Sequence, residues 1–364
     1  MRKKLRYLFI VQGEGRGHMT QAISLKETLK NAGHQVVCTL VGKSERRIIP
    51  DFFLKRMEAP VISFESPNFV LDKGNKRVRI SKTIIHNLAQ GKTYYRNLKL
   101  IHAQVECYNP DIIINFYDFL AGVYNMIFPH KAKFICIGHQ YLALHPEFIF
   151  PKGNMADKIL LLLNTKITSL LADRRLALSF TPLPCDPTGK TSVVPPLLRR
   201  EVLKISPNRE AYYLVYLVNE GYAHEVIHWH QANREIRLHC FWDKKDAEDT
   251  VVLHENLIFH KIDDQKFLNL MRSCSGYIST AGFESICEAM YLDKPVMMVP
   301  IKGHFEQKCN ALEAQKANAG IAASSFNLSD FLNYLPSRVD QNTAFRNWVE
   351  QANELFLKEL AYFN

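Results

Sequence analysis

The segment VQGEGRGHMTQA, residues 11–22, sets glycines at 13, 15 and 17 directly before His18 and directly after the apolar run RYLFIV. Glycine permits close approach of backbone to a ligand, so a strand-to-helix turn of this kind presents bare N–H groups beside one imidazole. The spacing does not suit the common phosphate loops. A dinucleotide fingerprint needs its third glycine three residues after the second, and a Walker loop ends in Gly-Lys-Ser/Thr. Here the third glycine arrives one residue early and His18 takes the next place. With a helix opening near Met19 and Thr20, Gly15 and Gly17 would let a substrate approach. An imidazole in general is suited to proton transfer at neutral pH, so His18 could then accept a proton. A turn that simply packs is the competing reading.

A second concentration of chemistry lies in residues 260–322. GYIST reads as a buried strand ending in the small-residue turn TAGF, after which ESICEAM opens a helix whose N-terminal amides can hold a phosphate. Glu284 and Glu288 are four apart and share a helix face. A carboxylate one turn inside such a helix can accept hydrogen bonds from two adjacent ribose hydroxyls. GHFEQKCNA then places Glu306, Gln307 and Asn310 at another strand-to-helix loop, where carboxylate and amide groups suit a hydroxyl-rich ligand.

The elements that must position these residues alternate along the chain. LRYLFIV, HQVVCTLV, PVISFE, DIIINF and KFICIG read as strands separated by helices, and a helix-like stretch covers residues 155–175. The turn-rich segment TPLPCDPTGKTSVVPPLLRR follows and marks a domain boundary. The pattern then restarts with AYYLVYLVN, IRLHCFW, NLIFHKI, GYIST and PVMMVPI, and residues 342–360 read as one amphipathic helix. Alternating strands and helices imply parallel sheets covered on both faces. The expected fold is α/β, with two doubly wound domains, 1–198 and 199–338. A C-terminal helix in 339–364 packs back toward the first, and a cleft between the two domains is the default ligand site.

Composition sets further bounds. A chain of 364 residues with a 47% hydrophobic fraction suits two soluble domains. No apolar run approaches the roughly 18 residues that span a bilayer, and the N-terminal apolar run reads as a strand rather than a signal peptide. Eight cysteines without a CxxC pair fit reduced thiols in a cytoplasm. Residues 1–200 carry 30 Lys and Arg against 14 Asp and Glu, while residues 201–364 carry 16 against 22, together giving the net +10 of the chain. The basic half is either a solvated face or a surface for an anionic partner. RRIIPDFFLKR, residues 46–56, mixes apolar and cationic side chains as a peripheral membrane contact does. No nucleic-acid module accompanies the charge. His224, Glu225 and His228 match HExxH, but no third ligand is placed, so no metal site is expected.

At GEGRGH, PPLLRREVL and the 260–322 block the chain resembles the GT-B glycosyltransferases. It is closest to the family-28 branch, which includes the N-acetylglucosaminyltransferase of lipid-linked peptidoglycan synthesis. The resemblance implies an inverting transfer of a sugar from a UDP-sugar to an acceptor hydroxyl, the acceptor being lipid-linked or membrane-associated. It implies that Ile262 contacts the uracil through its backbone, and that Ala281, Gly282 and Phe283, at the helix end carrying Glu284, line the diphosphate. Glu288 would bind ribose, and Glu306, Gln307 and Asn310 the sugar hydroxyls. Arg199, or the adjacent Arg200, would approach the phosphates. On the acceptor side it implies His18 as base, with Asp118 either its partner or a helix cap. His139 and Gln140 lie on a neighbouring loop, and His139 could equally be a core histidine. Two features depart from the family: NEGY (219–222) is poorer in glycine than its usual phosphate loop, and STAGF has one glycine where a pair is common. A nucleotide-sugar hydrolase or epimerase, or a non-catalytic nucleotide-sugar-binding protein, are the alternatives on the same scaffold.

Overall fold

Runs such as LFIV, IIIN and FICI are apolar at every position, and only a sheet covered by helices on both faces hides such strands completely. The computed structural model describes residues 4–44, 48–67, 90–153, 155–217, 220–244, 248–338 and 343–361. It forms two seven-stranded sheets. The first contains β1 (Arg6–Gln12), β2 (Gln35–Lys43), β3 (Val61–Glu65), β4 (Ile112–Phe116), β5 (Lys133–Gly138), β6 (Arg174–Leu178) and β7 (Thr191–Val194). Its order is β3-β2-β1-β4-β5-β6-β7, parallel throughout.

The second sheet contains β8 (Tyr213–Leu217), β9 (Leu238–Trp242), β10 (Thr250–His254), β11 (Leu257–Lys261), β12 (Gly276–Ser279), β13 (Val296–Met298) and β14 (Gly320–Ala322). The order is β10-β11-β9-β8-β12-β13-β14. Only β10 is antiparallel, on β11; without it the remaining six repeat the doubly wound order of the first sheet. In such sheets strand order reverses beside the first strand, between β1 and β4 and between β8 and β12. Loops leaving the carboxyl ends there are free to bind ligands.

The chain divides into two compact units. One holds the described residues up to Arg199 together with those from Trp348 onward; the other is Arg200–Asn347. The expected single C-terminal helix is two, Thr343–Glu350 and Ala352–Ala361. They part at Gln351, whose amide turns to the Trp348 carbonyl only three residues back, at 3.3 Å. The final helix is tied into the first unit. Asn353 Oδ1 accepts from the Thr28 hydroxyl at 2.6 Å, and Glu359 accepts from Arg174 Nε at 3.0 Å and from the Ser192 hydroxyl at 2.9 Å.

Four strands lie outside the ten expected. The helix-like stretch 155–175 is helical only over Met155–Thr168, Leu171 turns the chain in the left-handed region at φ 52°, and β6 begins at Arg174. TSVV, inside the proline-rich boundary, is the edge strand β7. All eight cysteines are free thiols, and among the described residues no helix is long and apolar enough to cross a membrane.

His239 on β9 and His260 on β11 form a buried pair, Nδ1 to Nε2 at 2.9 Å. Burial, with Lys266 adding repulsion, lowers each from 6.5 to about 4. The unfolded chain therefore takes up protons below about pH 6.5 that the folded chain refuses until about pH 4, so unfolding becomes easier as pH falls through that window. Thermal melts between pH 7 and 4 are expected to show this decline. It should be shallower in His239→Phe/His260→Phe, though still present, because burial also lowers His130 and His230.

Candidate active site

The chain leaves β1 through Gly13, whose amide donates to the Gly42 carbonyl at 2.7 Å. A side chain at Gly13 would press within 2.8 Å of Val41 Cγ1, so the two strand ends meet only because this residue is glycine. The following helix, Arg16–Asn31, starts three residues earlier than the sequence suggests, which moves His18 out of the loop and into the first helical turn. Gly15 is its N-cap and has no side chain to bond the first-turn amides, and a Cβ there would face open space. Gly17 lies within the same turn.

His18 is buried. Its Nδ1 meets Gln21 Oε1 at 3.3 Å and its Nε2 meets Gln140 Nε2 at 3.5 Å. An amide oxygen only accepts and an amide nitrogen only donates. As placed, Gln21 Oε1 can accept from Nδ1 and Gln140 Nε2 can donate to Nε2, a pairing compatible with the Nδ1-protonated tautomer. The ring stacks on Tyr117, with centroids 5.9 Å apart and planes inclined by 19°. Tyr117 sits at the carboxyl end of β4 with φ 62°, a conformation costly for a residue with a side chain.

Asp118 holds that turn. It is the N-cap of helix Phe119–Ile127, its Oδ1 accepts from the Ala121 amide at 3.1 Å, and its own amide donates to Asn115 Oδ1 at 2.8 Å. Asn115 Nδ2 reaches the carbonyls of Asp118 and Thr168, at 3.0 and 2.7 Å. The carboxylate is fully buried against Gly42, where any Cβ would overlap it. Burial raises it to about 6, against the pull of hydrogen bonds from Ser66, Ala121 and Leu120. Asp118 therefore meets backbone amides rather than the imidazole, and its link to His18 runs through Tyr117. His139 Nδ1 donates to the Leu178 carbonyl at 2.8 Å, an anchor for the loop that carries Gln140.

In the second unit, β12 ends in Thr280, Ala281 and Gly282. The Gly282 amide bends back to the Thr280 carbonyl at 2.6 Å, and Gly282 caps helix Phe283–Tyr291 without a side-chain bond. The Thr280 hydroxyl is buried and has no hydrogen-bond partner among the described residues. Glu284 lies in the first turn and Glu288 is buried one turn on. Ile262 is half-buried just past β11, before Asp263 caps helix Asp264–Ser273 through the Lys266 amide at 2.6 Å.

Helix Phe305–Lys316 carries half-buried Glu306 and buried Gln307 and Asn310. Gln307 Oε1 accepts from the Ile301 amide at 2.8 Å, and Asn310 Nδ2 donates to the Ala281 carbonyl at 2.9 Å. Arg199, buried, is the last residue of the first unit before the second begins at exposed Arg200. Of the HExxH residues, His224 and His228 are exposed while Glu225 accepts from the Phe326 amide at 3.1 Å. Asn219 of NEGY, and Arg46 and Arg47 of RRIIPDFFLKR, lie outside the described residues.

The family model described as glycosyl transferase family 1 matches residues 5–336. The chain belongs to this family. No curated protein matches it in sequence, but solved structures of the same fold do. The glycotransferase of kitacinnamycin is 14% identical with a TM-score of 0.63, covering 98% of this chain and 99% of that one. Phytolacca americana UGT2, complexed with UDP-2-fluoro-glucose and pterostilbene, is 13% identical with a TM-score of 0.63, covering 98% and 99%. Acinetobacter baumannii MurG is 14% identical with a TM-score of 0.56, covering 99% and 100%. The GT-B fold and the activity class expected from the sequence are both established, and the protein is a glycosyltransferase.

Two residues of this glycosyltransferase escaped sequence reasoning. Tyr117 follows a strand in DIIINFYD as any aromatic might, and its left-handed backbone leaves no trace in composition. Gln21, three residues after His18, carried a helical i, i+3 signal that could have been read. If Asp118 acts as a cap, Asp118→Ala should cost about 1–2 kcal/mol of stability, whereas Asp118→Asn, which caps as well, should cost only a few tenths. Denaturant melts and kcat measured on both variants check this, with Asp118→Asn expected to keep turnover within about threefold.

Proposed function

We propose that this glycosyltransferase inverts configuration as it moves a sugar from a UDP-sugar to an acceptor hydroxyl, with His18 as the base. The observation that supports the reading is the surroundings of His18: Gln21 Oε1 can accept a hydrogen bond from Nδ1–H, which would leave the Nε2 lone pair toward Gln140. In the reaction an acceptor O–H gives its proton to Nε2 as its oxygen bonds the anomeric carbon. The bond from that carbon to the UDP β-phosphate oxygen breaks, and the electron pair leaves with UDP. A single displacement of this kind inverts the centre and needs no covalent intermediate. The growing phosphate charge falls to the uncapped amides of helix Phe283–Tyr291 and to Arg199, so the proposal assigns no role to a metal. Glu288 would bind ribose and the Ile262 backbone the base. UDP is favoured because the Phytolacca americana relative holds a UDP-sugar analogue.

A lipid-linked acceptor is supported by the surface of the first unit. Met155, Ile159 and Leu163 are more than half exposed and four apart along one helix, with Ile149 exposed just before them. Lys152, Lys158 and Lys166 flank this stripe, and the Lys158 ammonium lies 4.0 Å over the Phe150 ring. Helix Asp51–Met57 contributes less, because Phe53 and Met57 are in the core and only Ile48 and Leu54 of that segment are well exposed.

UDP release should depend on added lipid extract, and release of the same rate without any acceptor would identify a hydrolase instead. His18→Ala should lower kcat by about 10²–10⁴-fold, with a lower melting temperature as well because a buried, stacked ring is lost; His18→Gln, which refills part of the space, should recover stability without recovering turnover. Chelation with EDTA should leave the rate unchanged.

A further inference from the structure

Helix Met155–Thr168 turns an apolar stripe to solvent and buries Thr165 and Thr168 completely. The hydroxyl of each meets a tyrosine. Tyr117 Oη lies 2.8 Å from Thr165 Oγ1, and the Tyr141 hydroxyl donates to Thr168 Oγ1 at 3.2 Å. Each threonine gives its own proton to a helix carbonyl, Thr165 to Leu161 at 2.8 Å and Thr168 to Thr165 at 2.9 Å. A hydroxyl has one proton and two lone pairs, so Thr165 is left as an acceptor to which Tyr117 can donate. The Tyr141 ring also meets Tyr117 edge to face, with centroids 5.5 Å apart. Tyr117 is thus held at its hydroxyl and at its ring while its backbone stays left-handed, and the His18 imidazole lies nearly parallel to that ring.

A base that takes a proton becomes a cation, and a cation within about 6 Å of an aromatic centroid is attracted by the ring face. The centroids of His18 and Tyr117 are 5.9 Å apart. We infer that Tyr117 and Thr165 are positioning residues for the transfer: Thr165 holds the Tyr117 hydroxyl, and the Tyr117 ring holds the plane of His18 and favours the imidazolium formed there. The inference rests on the reading of His18 as base.

UDP release from UDP-glucose and UDP-N-acetylglucosamine with added lipid extract separates positioning from packing. Thr165→Val keeps the shape but leaves a buried phenol without this partner, and should lower kcat about tenfold with the KM for the UDP-sugar within about twofold of wild type. Thr165→Ser keeps the acceptor and should stay within about threefold of wild type. Tyr117→Phe/Thr165→Val leaves neither partner unpaired and should recover most of the loss. A merely structural bond would lower the melting temperature of Thr165→Val and leave kcat alone; that result, or equal kcat in the Val and Ser variants, overturns the inference. The Cε1–H resonance of His18, recognised by its absence in His18→Gln, gives a readout independent of turnover. Its titration should move about half a pH unit lower in Tyr117→Leu, which excludes water but has no ring face, and in the same direction by less in Thr165→Val. A midpoint unmoved or raised in both overturns the inference. If wild type releases no UDP, or His18→Gln releases it as fast, the base reading fails, while the titration still decides whether Tyr117 acts on the imidazole.

Discussion

Parallel strands deliver every chain to the same edge of a sheet, and each chain must then turn into a helix whose first amides have no partner within it. The site depends on how these turns are closed. Asp118 and Asp263 close theirs with a carboxylate on a backbone amide. The turns after β1 and β12, one in each sheet beside the strand where the order reverses, are closed by Gly15 and Gly282, which have no side chain to offer. Neither turn spends a side chain on its helix end, as the turns at Asp118 and Asp263 do.

Around the first of these turns the support is polar and fully enclosed. Asn115 fixes the backbone at Asp118 and Thr168, Asp118 caps its helix against Gly42, and Tyr117 is held in the left-handed region where its ring can lie on His18. Gly13 and Gly42 let the ends of β1 and β2 approach closely enough for this stack to form. The imidazole is thus oriented by an aromatic face and two side-chain amides rather than by a carboxylate.

Around the second turn the support comes from a helix that follows the next strand. Helix Phe305–Lys316 reaches back with Asn310 and sideways with Gln307, tying two loops to one rigid element. The two units repeat one strand order, and each combines a capping carboxylate, Asp118 or Asp263, with side-chain amides that bond loop backbone, Asn115 in the first and Gln307 and Asn310 in the second.

The two doubly wound sheets were legible in the sequence because strands buried on both faces are apolar at every position, a pattern that needs no partner to be seen. The strand-to-helix turns before His18 and at TAGFESICEA were legible because small residues after an apolar strand mark such a turn. The short strands at 174–178, 191–194, 250–254 and 320–322, the last three at sheet edges, were not legible, since three to five residues gain their conformation from the strands they pair with. Nor were the directions of the amides at 140, 307 and 310. Residue type determines that an amide will bond. Only the tertiary fold, by bringing a donor or acceptor within hydrogen-bond reach, decides with what.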